Sequence, residues 1–284
     1  MIKLNHELIE FKKFPNGETH LNGQQLLDSW NLIGDSNEVE FKYESDADLI
    51  QLMLVKRFLD ETTDKETVLY ISYMPYSRMD RRVGTDVFTL KYVCDFINSL
   101  KFHSVYVVES HSDVTLALLD NCYALETGRK LFELVSEKIG FDKEKDYIFY
   151  PDAGAQKRYG KLGIPNELVG FKKRNTETGK IDSLQVVGNI EPGRKVVILD
   201  DLSSYGGTFM ASAEKLKELG AGDIFLAVTH CEDSIFKGKI PGSDLITKVF
   251  TTDSIINESK HEKVEIISSL GWMQKEENEV TEVA

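Results

Sequence analysis

A chain of 284 residues with 41% hydrophobic content is long enough to bury a full core in one large domain or two of ordinary size. Its net charge of −13, from 47 acidic against 34 basic residues, argues against a general nucleic-acid partner and leaves room only for a local basic site. Three dispersed cysteines, Cys94, Cys122 and Cys231, make no CxxC pair and no zinc spacing, which points to a reducing, cytoplasmic setting. No apolar run approaches the ~18 residues that span a bilayer, and residues 1–7 have no signal-peptide core, so no membrane partner is expected.

In chain order, residues 1–45 read as short strands and turns, with Phe14-Pro15-Asn16-Gly17-Glu18 as one turn. Residues 46–61 read as a helix: Leu49, Leu52, Met53, Val55 and Leu59 recur at helical spacing, and Ser45 or Asp46 is placed to cap it. A strand at 67–73 ends at Pro75, an amphipathic helix follows at 89–100, and a strand at 104–108 runs into Glu109-Ser110-His111-Ser112. A helix is expected at 126–139 and a strand at 146–150, ending at Pro151-Asp152-Ala153-Gly154. Then come a helix at 156–162, a short strand at 167–171 and a polar, mobile loop at 172–180 that opens with Lys172-Lys173-Arg174. Strands near 185–187, 196–199, 224–228, 248–251 and 264–267, with a helix at 209–219 stopped by Gly220, complete the pattern.

Alternating strands and helices predict an α/β fold built on a mainly parallel sheet. The alternation restarts near Asp146, so two tandem domains are expected, 1–143 and 144–284. No sequence repeat is visible; the division rests on element order.

The most informative stretch is Val196-Val197-Ile198-Leu199-Asp200-Asp201-Leu202-Ser203-Ser204-Tyr205-Gly206-Gly207-Thr208. Four aliphatic residues make a buried strand, two carboxylates close it, and a Ser/Gly/Thr loop leads into a helix. A glycine-rich turn at a helix N-terminus offers N–H groups and the positive dipole end to phosphate. Acids beside such a loop suit sugar hydroxyls or a divalent metal. An ordinary strand-turn-helix with a solvated acidic tip would look similar, because short glycine motifs are weak signals.

Further clusters sit at predicted strand ends: residues 74–82 with Arg78, Asp80, Arg81 and Arg82; Glu109-Ser110-His111; residues 151–158 with Asp152, Lys157 and Arg158; and Lys172-Lys173-Arg174 after a strand. Each has a bland reading: a solvated basic face, a structural histidine, a helix cap at Asp152, a solubilising loop. Together they supply the cations, carboxylates and imidazole that phosphoryl transfer needs around a polyphosphate and its Mg²⁺.

The stretch at 200–208 resembles the ribose-phosphate signature shared by type I phosphoribosyltransferases and phosphoribosyl pyrophosphate synthetases. The ordered set of clusters resembles the synthetases, also called ribose-phosphate pyrophosphokinases, from Phe14 to about residue 255. Phe14 to Glu18 looks like the family's adenine-binding turn, and Tyr76-Ser77-Arg78-Met79-Asp80-Arg81 like its ATP-binding run. Glu109-Ser110-His111 stands in the place of an Asp-Leu-His whose histidine meets the metal. Pro151-Asp152-Ala153-Gly154 with Lys157-Arg158 looks like the segment whose Asp serves metal and ribose, Lys172-Lys173-Arg174 like the catalytic flexible loop, and Val228-Thr229-His230 like the Val-Thr-His that closes the next strand.

The resemblance implies two tandem type I phosphoribosyltransferase-like domains, each a mainly parallel sheet flanked by helices, and diphosphoryl transfer from Mg²⁺·ATP to the anomeric hydroxyl of a ribose 5-phosphate derivative. It implies Lys172 and Arg174 as catalytic cations, and Phe14, Asn16, Glu18, Arg78 and Asp80 as the ATP side. Asp200, Asp201, Ser203, Ser204, Tyr205, Gly206, Gly207 and Thr208 would take the ribose phosphate, and His111 and Asp152 the metal. It further implies a cytoplasmic homo-oligomer, a dimer or hexamer.

Four departures stand out. Met79 replaces a polar residue, the 82–86 segment is short and lacks a downstream Arg, Glu109 replaces Asp, and Ser204-Tyr205 replaces Asp-Thr in the phosphate loop. The last suggests an acceptor extended at its 5′ end, such as ADP-ribose in NAD salvage, beside ribose 5-phosphate itself. A phosphoribosyltransferase and an inactive regulatory subunit are the competing classes. Retention of Lys172, Arg174, His111, Asp152, Asp200 and Asp201 argues against the second.

Overall fold

The structure, a computed structural model, describes residues 1–30, 36–174 and 181–269. The chain forms two compact units, divided between Leu125 and Glu126.

The first unit contains β1 (Ile2–Leu4), β2 (Glu7–Leu8), β3 (Phe11–Lys13), β4 (Thr19–Leu21), α1 (Gly23–Trp30), β5 (Ser36–Phe41), α2 (Ala47–Thr62), β6 (Glu66–Ile71), α3 (Thr89–Ser99), β7 (Ser104–Val108), α4 (Asp113–Leu118) and β8 (Cys122–Leu125). Its main sheet has the order β2-β1-β5-β6-β7-β8. β5 to β8 are parallel, and β1 and β2 close the edge antiparallel. β3 and β4 form a separate hairpin whose tip is the Phe14–Glu18 turn.

The helices α2 and α3 match the apolar periodicity. Leu52, Val55 and Leu59 of α2 and Leu90, Val93, Cys94 and Ile97 of α3 enter one core with Leu69, Ile71, Val105 and Val107. The start of α2 differs from expectation. Asp46 occupies the cap position without a capping hydrogen bond, and Asp48 accepts the N–H groups of Glu44 at 2.7 Å and Ser45 at 2.8 Å instead. The helices α1 and α4 and the strand β8 were not expected, because each is too short to show a full apolar period. α4 is fixed locally: the Ser112 hydroxyl accepts the N–H of Val114 at 3.2 Å.

The second unit contains α5 (Thr127–Ile139), β9 (Tyr147–Tyr150), α6 (Ala153–Tyr159), a 3₁₀ turn at Gly160–Leu162, β10 (Glu167–Arg174), β11 (Ile181–Val187), β12 (Val196–Ser203), α7 (Gly207–Glu218), β13 (Ile224–Cys231), a 3₁₀ turn at Asp233–Lys237, β14 (Lys248–Thr252) and β15 (Val264–Ile267). The sheet runs β11-β10-β9-β12-β13-β14-β15, and every pair is parallel except β10 with β11.

β12 is apolar on both faces, as a central parallel strand must be. Val196 and Ile198 pack toward Phe209, Met210, Ala213 and Leu216 of α7. Val197 and Leu199 pack on the other face, in a core that includes Leu131, Phe132 and Val135 of α5 and Ala155 and Tyr159 of α6. This packing puts α5 in the second compact unit.

The expected loop at 172–180 needs correction over its first residues. β10 continues through Arg174, with Lys172 opposite Leu184 and Lys173 opposite Ser183 of β11. An antiparallel neighbour supplies the backbone partners, so the polar side chains do not end the strand. Residues 175–180 lie outside the described residues.

β9 and β12 are neighbours whose onward connections diverge, β9 to β10 on one side and β12 to β13 on the other. Such a divergence opens a crevice at the carboxyl ends of the strands. No helix among the described residues is long and apolar enough to cross a membrane.

Candidate active site

In the second unit, the carboxyl ends of β9, β10 and β12 bring together Asp152, Lys172, Asp200, Asp201 and Arg158. Asp152 follows β9 and caps α6, its Oδ1 accepting the N–H of Ala155 at 3.1 Å. Its Oδ2 accepts from the Lys172 ammonium at 3.1 Å, although the two residues lie twenty positions apart. Burial alone would raise the Asp152 pKa, but the N–H of Ala155 and the Lys172 charge outweigh it and hold the carboxyl below its ordinary range. Lys172 keeps most of its side chain out of water while its charge is met at the tip.

The acid pair on β12 divides into two environments. Asp201 is buried and paired with Arg158 of α6 at 3.0 Å. Asp200 accepts the N–H of Asp201 at 3.0 Å. Burial, the Asp201 charge and the Asp152 carboxylate push Asp200 well above the ordinary carboxylate range. One acid is thus met by a guanidinium partner, while its neighbour carries the electrostatic strain of the cluster.

The Ser203–Thr208 segment passes from β12 into α7. Gly206 adopts φ +77° at the N-cap, and a Cβ there would come 2.4 Å from Ile240 Cδ1. Only glycine meets both conditions without strain. Gly238 approaches the loop from behind, where an added Cβ would lie 2.0 Å from the Tyr205 carbonyl oxygen. The Ser204 hydroxyl is 3.0 Å from that of Ser234, which donates to Glu232 at 3.1 Å. Tyr205 is 59% exposed. Beyond the loop, His230 is buried with Nδ1 2.8 Å from the Ser254 hydroxyl, a structural setting for the Val-Thr-His segment.

In the first unit, Phe14 is exposed at the hairpin tip and stands edge-on to His20 with centroids 5.7 Å apart. The turn is closed by Phe14 N–H to Glu18 O at 2.9 Å, and Asn16 Oδ1 accepts the Glu18 N–H at 3.2 Å. Arg78 is exposed, and Asp80 pairs with Arg81 at 3.4 Å. The segment carrying them begins at Tyr76, held at φ +62°. The Tyr76 hydroxyl donates to Asp46, which also accepts from Tyr43 at 2.5 Å. His111 follows β7, between Ser110 and the helix cap Ser112.

Asp152 and Lys172 are therefore joined directly, and Asp200 and Asp201 flank them at the switch of the second sheet. Phe14, Asn16, Glu18, Arg78, Asp80 and His111 lie on the first unit. Arg174 ends β10, and its side chain lies outside the described residues. Sequence reading passed over Glu232 and Ser234 behind the 203–208 loop and Tyr43 behind the Arg78 segment, and it placed Asp46 only as a helix cap. Ser, Glu, Asp and Tyr in loops carry no pattern that marks them. Among the described residues no cluster of three or more His, Cys, Asp or Glu side chains is arranged to hold a metal by itself. Oxygen donors from Asp152 with water and substrate phosphate suit Mg²⁺, which needs only one or two protein carboxylates.

No protein-family model matches the chain. Curated relatives do. The chain is 29% identical over 279 residues to the ribose-phosphate pyrophosphokinase of Pyrococcus abyssi, covering 93% of this chain and 90% of that one. It is 28% identical over 229 residues to the enzyme of the same name from Pyrococcus furiosus, covering 78% and 77%. Among solved structures, the phosphoribosylpyrophosphate synthetase of Mycobacterium smegmatis superposes with a TM-score of 0.75 at 20% identity, over 98% of this chain and 91% of that one. The fold is accordingly a pair of phosphoribosyltransferase-like domains, and the chain is similar to ribose-phosphate pyrophosphokinases along most of its length.

Proposed function

We propose that the protein transfers the β,γ-diphosphoryl group of ATP to the anomeric 1-hydroxyl of a ribose 5-phosphate-type acceptor. The hydroxyl oxygen bonds to the β-phosphorus. The bond from that phosphorus to the oxygen bridging to the α-phosphate breaks, AMP leaves with the electron pair, and the hydroxyl proton passes to solvent. The observation that carries this reading is the Lys172–Asp152 pair at 3.1 Å beside Asp200 and Asp201, ahead of a glycine-capped helix. A cation and ribose-binding acids then share one crevice with a phosphate-binding turn. The names of the curated relatives support the same reaction.

In this assignment Asp200 and Asp201 accept hydrogen bonds from the ribose 2- and 3-hydroxyls, with Arg158 holding Asp201 in place. The 203–208 loop receives the 5′-phosphate through its N–H groups and hydroxyls. Lys172 stabilises negative charge that develops on the transferred group, and Arg174 is assigned the same role on the family resemblance alone. Phe14, Asn16 and Glu18 take adenine, and Arg78 and Asp80 the rest of ATP. His111 and Asp152 are the residues that would hold Mg²⁺, directly or through water. When bound, the ion would neutralise phosphate charge and orient the chain of phosphates.

A finer reading concerns the acceptor. Tyr205 stands 59% exposed where the phosphate loop begins, an aromatic surface against which a 5′-extension can stack. On this ground ADP-ribose, which has the same free anomeric ribose, is assigned as an acceptor beside ribose 5-phosphate. AMP release from ATP, measured with each acceptor in turn, tests both levels. AMP with neither acceptor contradicts the reaction, and AMP with ribose 5-phosphate alone contradicts the extended acceptor.

A further inference from the structure

Behind the phosphate loop, Ser204 is linked to two side chains, Ser234 and Glu232, that the resemblance does not assign. Ser204 Oγ lies 3.0 Å from Ser234 Oγ, and Ser234 Oγ lies 3.1 Å from Glu232 Oε2. An ionised carboxylate only accepts, so Ser234 must spend its single hydroxyl proton on Glu232. Ser234 can then only accept from Ser204, and the Ser204 proton is committed to Ser234. The hydroxyl that should greet the 5′-phosphate presents lone pairs instead, and a carboxylate stands two links behind it.

The chain is braced. The Glu232 N–H donates to the Ser203 carbonyl at 2.8 Å, so the carboxylate segment is tied to the end of β12. The 3₁₀ turn at Asp233–Lys237 carries Ser234, and Gly238 and Ile240 pack against Tyr205 and Gly206. Asp233, the other acid of this turn, is paired outward with Lys260 at 2.5 Å.

A terminal phosphate at neutral pH is close to a dianion and accepts hydrogen bonds only. A phosphate bridged to a further group carries a single charge and needs fewer donors. We propose that the Glu232–Ser234–Ser204 relay is a specificity device that weakens binding of a terminal 5′-phosphate relative to a bridged one. Glu232 and Ser234 are positioning residues, acting through Ser204. The inference rests on the acceptor reading above, and it names the residues that set the preference.

The relay can be reversed without changing its shape. In Glu232→Gln the new amide can donate to Ser234, which frees Ser234 to donate to Ser204 and Ser204 to donate to phosphate. Ser234→Ala releases the Ser204 proton directly. The test measures, by calorimetric titration of the full chain, the affinity for ribose 5-phosphate and for ADP-ribose, with AMP release followed separately. Each variant should shift the affinity ratio toward ribose 5-phosphate by about tenfold, the weight of one hydrogen bond to a charged group. In a Ser204→Ala background, Glu232→Gln should leave the ratio unchanged. An unchanged ratio in both single variants with intact thermal melts, or a shift that survives Ser204→Ala, overturns the relay. Because binding is read directly, a lack of AMP release would count against the reaction and not against the relay.

Discussion

Asp200, assigned to the acceptor in the proposal above, is also the acid whose ionisation opposes folding. Burial and the Asp201 charge raise its pKa, so ionising it costs the folded state free energy above the ordinary carboxylate pKa of about 3.9. The cost grows as pH rises toward the folded-state value and is absent below the unfolded one. Asp200→Asn should therefore raise the melting temperature at neutral pH, by ~2–4 °C for each kcal/mol of repulsion removed. The gain should vanish as pH falls toward 4. The same substitution should lower kcat/KM by about 10–100-fold, the weight of a hydrogen bond to a charged acceptor. Thermal melts across pH with parallel assays check both halves.

Asp152 behaves oppositely. Its carboxyl is held low by the Ala155 N–H and the Lys172 charge against the opposing effect of burial, so its contribution to stability is present above the ordinary carboxylate pKa and is lost as pH falls through the folded value. Lys172→Ala removes the cation, and acid unfolding should begin at higher pH than in the wild type. If Lys172 also stabilises the transferring group, the substitution should reduce kcat by about 10²–10³-fold while nucleotide affinity changes little. Full turnover in Lys172→Ala would remove it from the chemistry.

At the scale of elements, the 203–208 loop owes its shape to the segment behind it. A Cβ on Gly238 would collide with the Tyr205 carbonyl, a backbone atom that has no rotamer to retreat into. Gly238→Ala should push the loop forward and weaken acceptor binding by about tenfold or more, with a stability loss of ~1–3 kcal/mol. Gly206→Ala should act through the positive φ as well as through Ile240. Acceptor titrations read the first effect and denaturant unfolding the second.

These elements also mark how far sequence reading reached. The run at 196–199, the acid pair and the loop into α7 were legible because a buried parallel strand and a glycine turn each leave a strong local pattern. The pairing of Lys172 with Asp152 was not, because adjacency of β9 and β10 is set by the sheet and not by chain distance. Lys172-Lys173-Arg174 looked like a loop on polarity alone, yet β11 supplies the ladder that makes it strand. α1 and α4 escaped for want of a full apolar period, and Glu232 and Ser234 for want of any pattern at all.

At the scale of the whole molecule, two α/β units carry complementary sets of groups. The second holds acids, cations and a glycine turn at a sheet switch, and the first holds an exposed aromatic hairpin tip and an arginine segment. On the proposed assignment, the acceptor groups all belong to the second unit. Substitutions at Asp200, Gly206 or Gly238 should therefore raise the KM for acceptor far more than that for ATP. Arg78→Ala should do the reverse, by about tenfold in KM for ATP. Steady-state kinetics with one substrate varied at a time would show the split.

The most direct measurement is the fate of ATP phosphorus when purified protein, Mg²⁺, ATP and ribose 5-phosphate or ADP-ribose are combined. Phosphorus NMR should show AMP and a new anomeric diphosphate appearing in equal amounts, with no reaction when the acceptor is omitted. Formation of ADP in place of AMP, or an ATP signal unchanged in the presence of both acceptors, would contradict the assignment of diphosphoryl transfer.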